Sequence, residues 1–498
     1  MANTKRKEFG DWQTNESLAL SVCRLLKSQG IHPKILIEPT CGVGNFVMAA
    51  LQVFEDDIED VIALEINSDY FETMKHKTSA SKGNRNINFH FFNQDFFRFD
   101  FATIKPLFNN REILVLGNPP WVTNSMLSGL NSENLPLKNN FKKQRGIDAI
   151  TGKGNFDVAE FICLEMLRLV QNQPAHLALL LKTSVIKNIL YYQHKEPLKF
   201  DNFRQYNIDA NKEFSAAVSA ALFECSTSPS NGETCTIYDF YTQKKVSNFG
   251  WLNGAFVADI DLYQSCGKYD ALSQFVWRSG IKHDCSKVME LTFDGENYIN
   301  GFGEIVDIEN ECIFPLIKSA DIKGNGIGVV KNYVIITQKK TSENTRKLLE
   351  QCPKLYQYLS KYSDLLDGRK STIYRNRPRF CLFGIGEYSF APYKIAISGL
   401  YKHTQCAILS QIEGKAIMVD DTCYAVGFPN EESAKIMLKV MNNSITQQLL
   451  KSITFSESKR IINKDVLMRI DVKKIAENIL SVSEMETLFS TVEQTLFD

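Results

Sequence analysis

Apolar positions along the chain follow two periods. Short unbroken runs, Ile35 to Glu38, Val61 to Ile66, Ile87 to Phe92, Ile113 to Leu116 and Leu177 to Leu181, alternate with segments in which apolar residues recur every three or four positions, Ser17 to Gln29, Asn45 to Phe54, Asp69 to Lys77 and Val158 to Val170. Unbroken runs predict strands buried on both faces, and the 3.6-residue period predicts helices between them. The first half therefore reads as a parallel sheet with helices on both faces. Beyond Leu181 come Phe203 to Asp209, Ala216 to Cys225 and Thr234 to Tyr241, and the Ser/Pro/Asn/Gly-rich connection between the last two predicts a hairpin. Past Ser265 strand-like and short helical segments mix, and Gln447 to Asp498 reads as helical, with amphipathic spacing at Ile475, Ile479 and Val482.

A chain of 498 residues is too long for one ordinary core. The change of pattern divides it into domains at 1–265 and 266–498. Lys plus Arg and Asp plus Glu both number 57, so any basic footprint for nucleic acid must be local. Met1 to Gly10 is polar and no apolar run approaches a membrane span, which predicts a cytoplasmic protein with no membrane partner. Twelve cysteines without a C-x-x-C pair and seven dispersed histidines predict reduced thiols and no metal site.

Ligands of open parallel sheets bind beyond the carboxyl ends of the strands. The fourth run leads into Asn118-Pro119-Pro120-Trp121. Two prolines supply no N–H, so the Pro119 carbonyl projects without a backbone donor nearby. With the Asn118 amide oxygen it offers two acceptors for the hydrogens of a planar exocyclic amine, and Trp121 offers a face on which a flipped base can stack. A turn with no further role is the competing reading for the tripeptide alone. The first run ends in Glu38-Pro39-Thr40-Cys41-Gly42-Val43-Gly44-Asn45-Phe46, a glycine turn that lets backbone approach a ligand, with a plain tight strand-to-helix turn as the equal alternative. The second ends at Glu65, 23 residues beyond Gly42, where an acid can accept from ribose hydroxyls. Asp95-Phe96-Phe97 closes the third, an acceptor for an adenine amine followed by apolar rings.

In this order, Gln13-Thr14 first, the glycine turn second and Asn-Pro-Pro-Trp third, the first 225 residues resemble the class I S-adenosylmethionine-dependent DNA amino-methyltransferases of restriction-modification systems, in the gamma arrangement of adenine-N6 enzymes. The resemblance implies a Rossmann-like class I methyltransferase sheet with a C-terminal hairpin, followed by a mixed α+β target-recognition domain. It implies S-adenosylmethionine as cofactor, with Thr14, Glu38, Pro39, Thr40, Gly42 and Gly44 around its methionine half, Glu65 on its ribose, Asp95 and Phe96 on its adenine, and Asn118 at the join with the target. Asn118, Pro119, Pro120 and Trp121 would carry transfer to a base flipped from double-stranded DNA. Trp121 stands where Tyr or Phe is commoner. Family members place a second aromatic on the far side of the base; Phe214 matches best, with a plain core residue as the alternative. Transfer is direct and needs neither a metal nor a cysteine nucleophile, and Cys41 is expected to pack against the sheet.

Lys142 and Lys143 in the polar segment 131–155, and Arg369, Lys370, Arg375, Arg377 and Arg379 interleaved with Tyr374, Phe380, Tyr388 and Phe390, form local basic clusters suited to DNA. For individual residues, cations capping an aromatic core compete with that reading. Phe314 to Ile322 and Arg369 to Tyr401 resemble target-recognition regions of type II modification enzymes. Alternatives remain at this stage: N4-cytosine methylation, an RNA or protein amide methyltransferase, a non-catalytic DNA-binding subunit, or a fused nuclease on the tripeptides Glu413-Gly414-Lys415 and Glu457-Ser458-Lys459. A cognate restriction endonuclease acting separately is a further expected partner.

Overall fold

The computed structural model describes residues 13–81, 86–123, 157–323, 326–400, 404–456 and 460–492. They form two compact units, Met1–Ile260 and Asp261–Asp498.

The first unit begins with helix α1 (Glu16–Ser28), whose cap Asn15 accepts from the Leu18 N–H at 2.8 Å. Leu18, Val22 and Leu26 recur at helical spacing and are buried. Strands β1 (Ile35–Glu38), β2 (Asp60–Leu64), β3 (Asn88–Phe92), β4 (Ile113–Gly117) and β5 (Ala175–Lys182) are parallel and lie in the order β3-β2-β1-β4-β5. Every residue of β1, β2 and β4 is buried, which requires cover on both faces. Helices α2 (Asn45–Val53), α3 (Ser68–Ser81) and α4 (Val158–Val170) occupy the intervening segments, and α5 (Thr183–Lys195) follows β5. The strand order reverses between β1 and β4. Connections leave the ends of these two neighbours in opposite directions, opening a crevice at their carboxyl ends.

The sheet then turns mixed. Strand β6 (Phe200–Ile208) leads through helix α6 (Ala210–Phe214) to β7 (Ala220–Thr227), which inserts antiparallel between β5 and β6. Strand β8 (Thr234–Asp239) pairs parallel to β6, and β9 (Lys245–Leu252) and β10 (Ala255–Val257) extend the sheet antiparallel to ten strands. The hairpin expected between Ala216–Cys225 and Thr234–Tyr241 is not formed, because β6 lies between β7 and β8. The connection between them instead crosses the start of β6: the Ser228 and Gly232 N–H groups donate to the carbonyls of Lys199 at 2.9 Å and Phe200 at 2.7 Å. A Cβ on Gly232 would lie 2.9 Å from the Asp201 Cα, so only glycine permits this approach.

The second unit contains a five-stranded sheet built on Glu290–Phe293, Tyr298–Asn300, Ile313–Ile317, Asn332–Ile335 and Met418–Val419, and a four-stranded sheet built on Arg278–Ser279, Tyr393–Ser398, Ala407–Ser410 and Cys423–Phe428. Leu291, Ile313, Val334, Leu355 and Phe380 share one of its buried clusters. Short helices, among them Ser444–Ile453, Val472–Ala476 and Val482–Phe489, occupy the carboxyl-terminal segment. Among the described residues, no helix is long and apolar enough to cross a membrane.

Candidate active site

Two of the acids read from sequence, Glu38 and Glu65, meet at the glycine turn beside the crevice between β1 and β4. Glu38 ends β1 and is 2% exposed. Its carboxylate accepts from the Val47 N–H in the first turn of α2 at 3.1 Å. Burial raises its pKa well above the usual carboxylate range against that hydrogen bond, and the charge of Glu65 adds to the rise. Glu65 follows β2. Its two oxygens accept separately, from the Gly42 N–H at 2.7 Å and the Asn67 N–H at 2.8 Å, which locks the carboxylate against the glycine turn.

The turn itself is held by backbone bonds from Cys41 N–H to Leu64 and from Gly44 N–H to Cys41. Gly44 caps α2 at φ +79°, and a Cβ there would meet the Met74 side chain at 2.5 Å. The Thr40 hydroxyl is buried and has no hydrogen-bond partner among the described residues. A buried hydroxyl of this kind is satisfied by a water, an ion or a ligand. Pro39 is buried beside it, and Thr14, 5% exposed, gives its carbonyl to the Asn45 side chain at 2.8 Å. Cys41 is buried, and burial, with Glu38 and Glu65 beside it, pushes its thiol pKa up, so it is an inert packing residue.

On the rim beyond β3, Asp95 caps a short turn through the Phe97 N–H at 2.9 Å, with Arg98 at 3.7 Å. Phe96 is buried against Phe97 and Phe101, with ring centroids 5.8 and 5.1 Å away. Next to Glu38, β4 ends in Gly117, where a Cβ would stand 3.3 Å from the Glu38 Cγ. Gly117 is not among the residues expected from sequence, although it directly precedes Asn118. Asn118 and Pro120 are half-buried and Pro119 is buried. The Trp121 indole N–H donates to the Leu180 carbonyl at 3.2 Å, fixing the ring over β5.

Phe214 ends α6 and meets Trp121 edge-to-face, with centroids 5.0 Å apart at 70°. A planar base held in contact on both faces needs about 7 Å between flanking rings. Here the two rings bury one another instead, each under 10% exposed.

Outside the expected set, Lys182 at the end of β5 and Asp157, the cap of α4, form an ion pair at 2.5 Å. It stands beside the antiparallel bridge between Thr123 and Asp157. No local pattern pairs residues this far apart.

Lys142, Lys143 and Glu457-Ser458-Lys459 lie outside the described residues. Of the other basic candidates, Arg369 donates to the carbonyls of Leu366, Cys381 and His283 at 2.7, 2.8 and 3.2 Å and lies over the Tyr374 ring. It is the cation capping an aromatic core. Arg379 forms a forked pair with Asp367 at 2.6 to 3.2 Å, and Arg377 lies over Phe383. Lys370 and Arg375 are exposed, and their side chains make no ion pair among the described residues.

No family model matches the sequence. The chain is 41% identical over 475 residues, 95% of its own length and 98% of the relative's, to the Type II methyltransferase M.NspV of Nostoc sp.. Its fold is similar to the Type IIL restriction-modification enzyme MmeI, solved in complex with DNA, at a TM-score of 0.50 and 12% identity over 99% of this chain and 76% of that one. The sheet with its reversal at β1 and β4 is thus the Rossmann-like sheet of class I methyltransferases, joined to an additional unit. Identity on that scale, along nearly the whole of both chains, means that the chain belongs to the type II methyltransferases of restriction-modification systems, enzymes dependent on S-adenosylmethionine.

Proposed function

We propose that the chain methylates the N6 amine of adenine in duplex DNA after flipping the base out of the helix. The observation that carries this reading is the meeting of two chemistries at one topological switch point: Glu38, the glycine turn and Glu65 on one side, Asn118-Pro119-Pro120-Trp121 at the neighbouring strand end. The relative named a type II methyltransferase supports it.

The residues fit S-adenosylmethionine. Thr40 offers a buried hydroxyl, Glu65 an oriented carboxylate for ribose hydroxyls, and Glu38 a buried acid suited to a cationic ligand. Thr14, Pro39, Gly42 and Gly44 border the same turn, while Asp95 and Phe96 lie on the adenine side. The cofactor supplies an electrophilic methyl on a sulfonium. The amine of adenine is a weak nucleophile because its lone pair is conjugated with the ring. The Asn118 amide oxygen and the Pro119 carbonyl accept its two hydrogens, drawing the nitrogen towards a pyramidal and more nucleophilic geometry, and alignment supplies the remainder of the acceleration. Pro120 keeps the turn free of a competing donor, and Phe214 moves off the fixed Trp121 ring to take the base between them. The second unit is the target-recognition domain in this reading, with Lys370, Arg375 and Arg377 as its phosphate contacts and Lys142 and Lys143 as further phosphate contacts.

N4 of cytosine presents the same amine geometry, and the Asn-Pro-Pro-Trp chemistry would serve it equally. Incubation of the protein with S-adenosylmethionine and unmethylated duplex DNA, followed by mass spectrometry of nucleosides, separates the two. N6-methyladenine is expected; N4-methylcytosine would keep the mechanism and change the base, and no methylated nucleoside would reject both.

A further inference from the structure

One carboxylate has no part in this pocket chemistry, yet it stands next to Phe214. The Glu213 side chain is 10% exposed and lies on α6. Its Oε2 accepts from the Asn15 Nδ2 at 2.9 Å and its Oε1 from the Tyr241 hydroxyl at 2.9 Å, with Lys212 Nζ 3.9 Å from Oε1. Asn15 already spends its amide oxygen on α1, accepting from the Leu18 N–H at 2.8 Å and the Ser17 hydroxyl at 2.7 Å. Its amide nitrogen is what reaches Glu213. One residue earlier, the Thr14 carbonyl is held by Asn45 at the start of α2, directly after the glycine turn, and Lys77 holds the Asn45 amide oxygen at 2.8 Å. Side-chain hydrogen bonds and two adjacent backbone steps therefore connect the glycine turn to the helix that ends on Phe214.

That helix has five residues, too few to be stable by its own backbone bonds. Asp209 caps its start by accepting from the N–H groups of Asn211 and Lys212. Glu213 is its tie to α1, and Ser215 at φ +54° ends it immediately after Phe214. Where the Phe214 ring stands relative to Trp121 follows from how this short helix is anchored.

We propose that Glu213 is a positioning residue that couples cofactor binding to base capture: a cofactor seated against Thr14 bears on the adjacent Asn15, Asn15 fixes Glu213, and Glu213 sets the helix bearing Phe214. The inference deepens the reading given under Proposed function and rests on it. Coupling of this kind is reciprocal, so bound DNA must tighten cofactor binding by the factor with which cofactor tightens DNA binding. The measurement that reads such coupling is thermodynamic.

The test uses the full chain, S-adenosylhomocysteine as probe, and a duplex containing a sequence that the wild type methylates. Calorimetry gives the probe's affinity with and without duplex. For the wild type the duplex is expected to tighten it by a factor within the roughly 5- to 150-fold range of such couplings. Asn15→Ser keeps an oxygen for the α1 cap and removes the amide donor that reaches Glu213; Glu213→Ala removes the acceptor at the other end of the same bond. Each is expected to bring the ratio close to one and raise KM for duplex more than it lowers kcat, while probe affinity without DNA stays near wild type. The double variant should lose no more than either single one. A merely structural Glu213 would lower the melting temperature and leave the ratio intact. Variants that keep the wild-type ratio, or a wild-type ratio of one, overturn the coupling alone. A wild type that methylates no duplex DNA overturns the reading beneath it, and the proposal with it.

Discussion

Glu38 shows what the site costs at the level of a single residue. Its carboxyl is buried, accepts from a backbone N–H, and has a raised pKa. Below the unfolded-state value near about 4.3 it is protonated in both states and costs nothing; as pH rises towards the folded value, stability falls. Glu38→Gln retains an acceptor for Val47 and removes the ionisation. The cofactor-free variant should melt above wild type at neutral pH, by about 2–4 °C per kcal/mol recovered, with the gap closing towards pH 4. A cationic ligand beside Glu38 lowers its pKa, so cofactor binding should release a proton and strengthen as pH rises, and the variant should lose both effects in calorimetry. A variant melting below wild type at pH 7 would show that Glu38 stabilises the fold. Asn118→Ala is expected to lower kcat by at least about 100-fold with cofactor affinity little changed, measured by single-turnover methylation and calorimetry. Glu38 and Glu65 were legible because each closes a fully buried run, whereas β3 before Asp95, read as buried on both faces, is an edge strand left part-exposed. The Asn15–Glu213 bond was not, since it joins positions 198 residues apart with no pattern connecting them.

Among the elements, strands stood out where burial is complete: β1 is the run read from sequence, and β4 extends it by one residue. Pairing was harder to read. An apolar run records that a strand is buried and says nothing about its neighbours, so β7 and β8 looked like adjacent hairpin partners although β6 separates them. The same level carries a stabilising cluster at the opposite end of the strands from the site. Asp60, first in β2, accepts from Arg111 at 2.7 Å and His90 at 2.8 Å, and Arg111 also reaches Glu59 at 3.0 Å. Burial pushes the Asp60 carboxyl up, but the bonds from His90 and Arg111 outweigh it and its pKa is lowered. The resulting stability is present above the unfolded-state pKa and lost as pH falls towards the folded one. Arg111→Ala leaves Asp60 buried without its main partner and should cost about 3 kcal/mol in urea unfolding at neutral pH, with kcat unchanged under folding conditions.

For the whole molecule, composition was silent: 57 charges of each sign conceal where cations gather. The structure separates them by use. Lys370→Ala, Arg375→Ala and Arg377→Ala together should reduce the slope of log affinity for duplex against log salt by about 0.9 for each phosphate that is no longer neutralised, without loss of fold. Arg369→Ala, which frees three carbonyls, should instead lower the melting temperature. An unchanged salt slope in the triple variant would remove these residues from the DNA interface.

The 228–233 connection crosses the start of β6 on its way from β7 to β8, and this bears on how the sheet edge is covered. During synthesis β6 and β7 can pair as soon as both have emerged from the ribosome, and until β8 follows, β6 is an open sheet edge able to recruit another chain. The hydrogen bonds from Ser228 and Gly232 to Lys199 and Phe200 turn the chain around that edge, so the segment that delivers β8 is already docked on the strand it will cover. Once β8 pairs with β6, that edge is no longer open to a neighbouring chain.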